Sequence, residues 1–252
     1  MSELVRFHSD GAIARMTLAR PRKLNAMNDE MLLAMLDYLR QAAGNPDLRA
    51  LILDAEGRAF SAGGDIASFE DMDEQAFAAS VDLFMRLAHA LRELPAISIA
   101  AVNGYALAGG FELALMCDLR IAARSAVFGL PDGSIGLSPT SGMTWLLPRI
   151  VGYGRALHLT LSGDRFDADQ AERIGLVTAV VDDNQLAGHA SELAQRFASY
   201  PGPVVARTKA AFAYALEHDY AAATAYEARV EHDCFAAPDT RAALARALRR
   251  DR

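Results

Sequence analysis

Cysteine is nearly missing from this 252-residue chain: Cys117 and Cys234 are the only two, far apart in helix-like contexts. That excludes a disulfide framework and offers no metal-binding spacing, so both are expected to be reduced core residues. Lysine is just as scarce, with only Lys23 and Lys209, and arginine carries the remaining positive charge, a pattern read here as compositional bias. The formal charge of −7 argues against a nucleic-acid or anionic-membrane partner. The chain is 52% hydrophobic, yet no uninterrupted apolar run is long enough to span a bilayer. Met1 to Asp10 alternates and carries charge, unlike a signal peptide. No linker or low-complexity segment interrupts it. The expectation is one compact, cytoplasmic unit with a sizeable core.

Strand and helix patterns then alternate. Val5–Phe7 and Ile13–Leu18 flank Asp10-Gly11 and predict a hairpin. Asn28 caps a helix to about Ala43, with Met31, Leu32, Met35, Leu36 and Leu39 at helical spacing, and Gly44-Asn45-Pro46 stops it. Ala50–Asp54 reads as a buried strand. A long helix starts within Asp71–Glu74 and runs to about Glu93; further strands are expected at Ala96–Val102 and Leu119–Ala122. From Ser141 onward helices dominate, with one short strand at Leu176–Val181. This describes an α/β core with a helical C-terminal region.

The stretch from Ala101 to Asp118 carries the chemistry. Asn103-Gly104 and Gly109-Gly110 break it, and Phe111–Cys117 is apolar apart from Glu112, so it predicts a short buried helix with one carboxylate in its first turn. Bare glycine backbone admits an oxygen closely, and first-turn N–H groups lack internal partners at the positive end of the dipole. A second glycine break, Phe60-Ser61-Ala62-Gly63-Gly64-Asp65-Ile66, follows the strand at Ala50–Asp54. Two such loops can converge on one carbonyl that becomes an oxyanion. Each feature alone is ordinary loop or dipole chemistry; the combination is not.

These segments resemble the crotonase, or enoyl-CoA hydratase/isomerase, superfamily. The matching residues are Ala19–Asn28, Phe60–Ile66, Ala101–Asp118, Gly136–Pro139, Leu147–Gly152, Leu161–Arg165 and Gly175–Val177, in order over essentially the whole chain. The resemblance implies a spiral of ββα units over residues 1–195 and a C-terminal helical region, 196–252, that packs in a homotrimer or a hexamer built as a dimer of trimers. It implies an acyl-CoA thioester as substrate, with coenzyme A entering only as part of it, and no separate cofactor or metal. The backbone N–H groups of Gly64 and Gly109 would form the oxyanion hole. Glu112 would orient and deprotonate water, and the second acid falls on Asp132, where the hydratase pattern has Glu. Asp is one methylene shorter, and Pro131-Asp132-Gly133 is also a stock turn, so proton carrier and turn residue both stay open.

The same resemblance places Arg22, Lys23 and Leu24 against the pantetheine and phosphates, and the Ala62 carbonyl with Asp65 and Ile66 around the adenine. Thr140 stands where related isomerases and a dehalogenase carry a reactive Asp. Met143 replaces a usual glycine, either narrowing the acyl pocket or filling core, and Trp145 either lines that pocket or packs. His89, His158 and His218 receive no role. The leading expectation is hydration of a 2-enoyl-CoA. A Δ3,Δ2-enoyl-CoA isomerase, or another specialised reaction of the family, is the alternative, and a non-catalytic CoA-ester binder is a third reading.

Overall fold

A computed structural model describes residues 2–250. The chain opens with a hairpin, β1 (Val5–Asp10) and β2 (Ile13–Leu18), then α1 (Asp29–Ala43). Strands then come in pairs: β3 (Ala50–Ala55) and β4 (Ala59–Ser61), followed by α2 (Ile66–Phe69) and α3 (Glu74–Glu93); β5 (Ile97–Val102) and β6 (Tyr105–Leu107), followed by α4 (Gly109–Met116). The third pair is β7 (Leu119–Ala123) and β8 (Val127–Gly129), followed by a short 3₁₀ turn at Pro131–Ile135, α5 (Met143–Val151) and α6 (Tyr153–Ser162). Then come β9 (Phe166–Asp167), α7 (Ala168–Arg173), β10 (Ala179–Val181), α8 (Leu186–Ala198), α9 (Val204–Ala215), α10 (Tyr220–Ala236) and α11 (Pro238–Arg250).

The first strand of each pair enters one sheet and the second enters another. A six-stranded sheet runs β1-β2-β3-β5-β7-β10 and a four-stranded sheet runs β4-β6-β8-β9. Apart from the antiparallel β1–β2 and β8–β9 pairs, neighbours are parallel. Each step along the chain therefore advances both sheets by one strand and adds a helix outside them, which makes the ββα spiral that the resemblance implied. The second sheet differs from the sequence reading: β4, β6 and β9 are strands of two or three residues, too short to show any period.

Alternation along β3, β5 and β7 divides the core. Leu51, Leu53 and Ala100 join the main core, whereas Ile52, Ile99 and Ile121 meet Leu186, Ala190 and Ala194 of α8. A parallel sheet buried on both faces explains why these strands read as continuous apolar runs. The boundary expected after 195 falls within α8.

Helix α4 is buried all round, from Gly110 to Met116. It reaches that depth because Gly110 has no side chain: a Cβ there would sit 2.1 Å from the Ser61 carbonyl oxygen of β4. Phe111 anchors its underside on Phe128 and Phe166, with ring centroids 5.8 and 6.0 Å away.

One of the two lysines ties the helical C-terminal region to this core. Lys209 of α9 is largely buried, and its Nζ donates to the carbonyls of Leu91 and Ala96 and to the Asp118 carboxylate, the last at 2.8 Å. Asp118 in turn accepts from the Ser98 N–H and hydroxyl.

Candidate active site

Two backbone segments meet at the entrance to α4. Ala108 precedes the helix with φ 50° and ψ −129°, a conformation that costs an L-residue energy and persists only where its surroundings hold it. Its N–H donates to the Gly129 carbonyl, and its own carbonyl accepts from Phe111 and Glu112. Gly109 then begins the helix, so its N–H has no partner within it. The expected helix started two residues later; the glycines are its first turn, which is where free N–H groups lie.

The first glycine loop comes alongside. Met27 N–H donates to the Gly63 carbonyl and Asp65 N–H to the Met27 carbonyl, while the Gly64 N–H takes part in neither bond. A Cβ added to Gly109 would lie 3.5 Å from the Gly64 nitrogen and 3.3 Å from the Phe84 ring. The two glycine loops thus lie side by side at Gly64 and Gly109.

One turn into α4, Glu112 is 4% exposed. Its carboxylate is gripped at both oxygens by a single residue: Thr140 N–H donates to Oε1 at 2.7 Å and Thr140 Oγ1 to Oε2 at 2.8 Å. The Thr140 hydroxyl also lies 3.2 Å from Ser141 Oγ. Burial pushes the Glu112 carboxyl above its ordinary value, and the Asp132 charge adds to that; the two Thr140 bonds pull the other way.

Asp132 sits in the 3₁₀ turn at Pro131–Ile135, so the turn reading of Pro131-Asp132-Gly133 holds for the backbone. The side chain is another matter. Its Oδ2 is buried and, among the described residues, has no hydrogen-bond partner. Burial raises the Asp132 carboxyl too. A neutral acid is the form such an unpartnered oxygen favours.

The other residues expected at the site are partly gathered by the same scaffold. Ala62 N–H donates to the Leu24 carbonyl, which sets Arg22, Lys23 and Leu24 beside the first glycine loop; Arg22 and Lys23 are exposed. Asp65 is committed to Arg20 at 2.6 Å, and Ile66 is an exposed large apolar residue. Met143 belongs to the main core at 1% exposure. Trp145 has two guanidiniums over its ring, Arg92 at 4.6 Å and Arg149 at 4.0 Å from the ring centre. His89, His158 and His218 are exposed. Among the described residues no group of His, Cys, Asp and Glu could hold a metal ion, and no helix is long and apolar enough to cross a membrane.

Sequence reasoning gave no part to two residues that build this site. Asn25 is fully buried, and its amide donates to the Glu56 and Ala59 carbonyls while its oxygen accepts from Arg20 N–H; its own carbonyl accepts from Ser61. It buttresses the loop that carries Gly64. A lone amide between Leu24 and Ala26 was the available signal. In the sequence Thr140 stands out only as the absence of a reactive aspartate, and nothing local signals its bond to a carboxylate 28 positions earlier.

The family model described as enoyl-CoA hydratase/isomerase matches residues 8–250. A short-chain-enoyl-CoA hydratase of Clostridium acetobutylicum is 35% identical over 236 residues, covering 93% of this chain and 90% of that one. A 1,2-epoxyphenylacetyl-CoA isomerase of Escherichia coli is 39% identical over 208 residues, covering 80% and 78%. The crystal structure of an enoyl-CoA hydratase from Bacillus anthracis superposes with a TM-score of 0.93 at 32% identity, covering 99% of this chain and 97% of that one. With a family model spanning nearly its whole length and the spiral fold in place, this chain belongs to the enoyl-CoA hydratase/isomerase (crotonase) family of enzymes.

Proposed function

We propose that this enzyme adds water across the double bond of a 2-enoyl-CoA thioester. The observation that carries the reading is the unequal treatment of two neighbouring carboxyls, Glu112 buried and Asp132 half-buried. Glu112 receives two hydrogen bonds that favour its anion, whereas Asp132 Oδ2 receives none. Environments that differ in this way assign the base and the acid.

In this scheme the thioester carbonyl lies between the N–H groups of Gly64 and Gly109. The Glu112 carboxylate takes a proton from water as its oxygen bonds to the β-carbon. The π electrons move onto the carbonyl oxygen, where the two N–H groups stabilise them, each donor being worth about 3–4 kcal/mol of barrier. Asp132 then delivers a proton to the α-carbon as the carbonyl re-forms. Proton return from Glu112 to Asp132 resets the pair, so the net addition is one water. Proton transfer and oxyanion stabilisation complete this chemistry without a cofactor or metal.

Arg22, Lys23 and Leu24 would hold the pantetheine and phosphates and Ala62, Asp65 and Ile66 the adenine, with the Asp65 carboxylate already paired to Arg20. Two free buried cysteines fit a cytoplasmic protein. Exposed Tyr153, Leu157 and Leu161 at four-residue spacing on α6, with Tyr220 and Phe235 on α10, fit burial in a homotrimer or hexamer.

The second reading is a Δ3,Δ2-enoyl-CoA isomerase or another specialised reaction of the family; the 39% identity to a relative named 1,2-epoxyphenylacetyl-CoA isomerase, whose named substrate is an epoxide, supports only the breadth of reactions among its relatives. In the enoyl-CoA isomerase one carboxylate would shuttle a proton between α- and γ-carbons and no water would add. Hydration of 2-enoyl-CoA thioesters, followed by loss of the conjugated absorbance, tests the choice. Loss of hydration in both Glu112→Gln and Asp132→Asn supports the two-carboxyl reaction. Conversion of a 3-enoyl-CoA without any hydration would move the assignment to the isomerase.

A further inference from the structure

The turn that carries Thr140 holds a second hydroxyl, which the scheme above does not use. Ser141 is 2% exposed and has φ +57°, left-handed backbone that costs an L-residue energy and persists only where its surroundings hold it. Gly142, the next residue, adopts φ +75° without that cost. The Ser141 N–H is spent on a weak acceptor, the Met85 sulfur of α3, at 3.2 Å. A buried hydroxyl on such backbone needs a hydrogen bond to offset it. Among the described residues its one partner is Thr140 Oγ1, at 3.2 Å.

The direction of that bond follows from counting hydrogens. An ionised carboxylate only accepts, and a hydroxyl has one hydrogen to give. Thr140 gives its own to Glu112 Oε2 at 2.8 Å. Between the two hydroxyls Ser141 is therefore the donor and Thr140 Oγ1 the acceptor. The chain runs from Ser141 through Thr140 to Glu112, and each donation polarises the next. With its acceptor side occupied, the Thr140 hydroxyl keeps its hydrogen on Oε2, where a free rotor could turn away. Burial pushes the Glu112 carboxyl up most strongly, and the Ser141 hydroxyl is among the groups that pull it down.

Asp132 is the titratable neighbour whose charge acts on Glu112. On the elements packed against α4, other charged groups are turned away or engaged. The acidic residues of α3, with its Arg86 and His89, are exposed, and its Arg92 pairs with Glu217. Arg120 of β7 donates to the Cys117 carbonyl at the far end of α4. Arg149 of α5 lies over Trp145, and Tyr105 of β6 lies under Arg165. We infer that Ser141 is a positioning residue: its hydroxyl, donated to Thr140, holds the Thr140 hydrogen on Glu112 and so keeps the base ionised. This rests on Glu112 being the base proposed above.

The titration of Glu112 in the full-length protein tests it, followed by carbon NMR with labelled glutamate carboxyls and with the Glu112 signal assigned by its loss in Glu112→Gln. Ser141→Gly removes the hydroxyl and suits the left-handed backbone, so a merely structural role predicts no change in the titration. The expected result is a midpoint raised by about 0.3–0.7 pH unit, a two- to fivefold gain in proton affinity, as the lower range for a neutral hydrogen bond gives. The acid limb of kcat/KM should move by the same amount. Ser141→Ala, which keeps the Cβ, should raise the midpoint alike. On a Thr140→Val background Ser141→Gly should shift it less than half as far, because the hydroxyl it acts through is gone. A midpoint unmoved in both single variants, or the full shift on the Thr140→Val background, overturns the inference. The titration does not depend on turnover: the raised midpoint in an enzyme that fails to hydrate would overturn the proposed reaction and leave Ser141 in its role.

Discussion

Thr140→Val isolates the grip on Glu112. Valine keeps the shape and the backbone N–H that donates to Oε1, and removes only the hydroxyl bonded to Oε2 at 2.8 Å. A hydrogen bond to a charged, buried carboxylate is worth about 1.5–3 kcal/mol, which corresponds to a roughly ten- to hundredfold change in proton affinity. The sign follows from which form the bond favours. The hydroxyl donates to the anion, so its loss makes Glu112 easier to protonate, and the site already lies above the ordinary carboxylate value through burial. Since the proposed base is the anion, the acid limb of kcat/KM moves to higher pH. On that limb the variant falls about ten- to hundredfold below wild type, while at the alkaline plateau the two stay within about threefold. Thr140→Ser, which restores the donor, brings the limb back. A kcat/KM profile lowered equally at every pH would refute the reasoning, because it would mean the hydroxyl acts on packing and not on the charge of Glu112.

Further outcomes follow from the same geometry. Glu112 and Asp132 both have folded values raised above their unfolded ones, so their stabilising contribution is full below the ordinary carboxylate range and is lost as pH rises through the folded values. Glu112→Gln should therefore be more stable than wild type at neutral pH, with the difference vanishing in acid; thermal unfolding at several pH values checks this, and a variant less stable at neutral pH would contradict it. Gly110→Ala should destabilise by about 3 kcal/mol, the upper end of overpacking, because the new methyl would meet the Ser61 backbone at 2.1 Å. Denaturant unfolding measures it, and a wild-type midpoint would refute the close approach of α4 to β4.

Much of this architecture is legible along the chain because it is written locally. The Asn28 cap accepts from Met31 N–H as the sequence implies, the Gly11 turn closes β1 on β2, and the apolar runs at Ala50 and Ala96 mark central parallel strands. The second sheet was not legible, since strands as short as β6 and β9 are fixed by pairing across the spiral and carry no pattern of their own. The site divides in the same way. Gly64, Gly109 and Glu112 stand in short motifs whose physical meaning is local: uncovered backbone and a first-turn carboxylate. The Thr140 clamp, the Asn25 buttress and the Lys209 anchor are contacts between distant segments, and a side chain's partner 28 or 91 positions away leaves no trace in the residues around it.

The most direct measurement follows solvent oxygen. The enzyme is given a 2-enoyl-CoA in water enriched in heavy oxygen, and the acyl product is analysed by mass spectrometry beside Glu112→Gln and Asp132→Asn. One solvent oxygen at the β-carbon with the wild type, and none above background with either variant, is the result the two-carboxyl hydration predicts. A product whose double bond has moved without gaining oxygen, or full incorporation by Glu112→Gln, would contradict it.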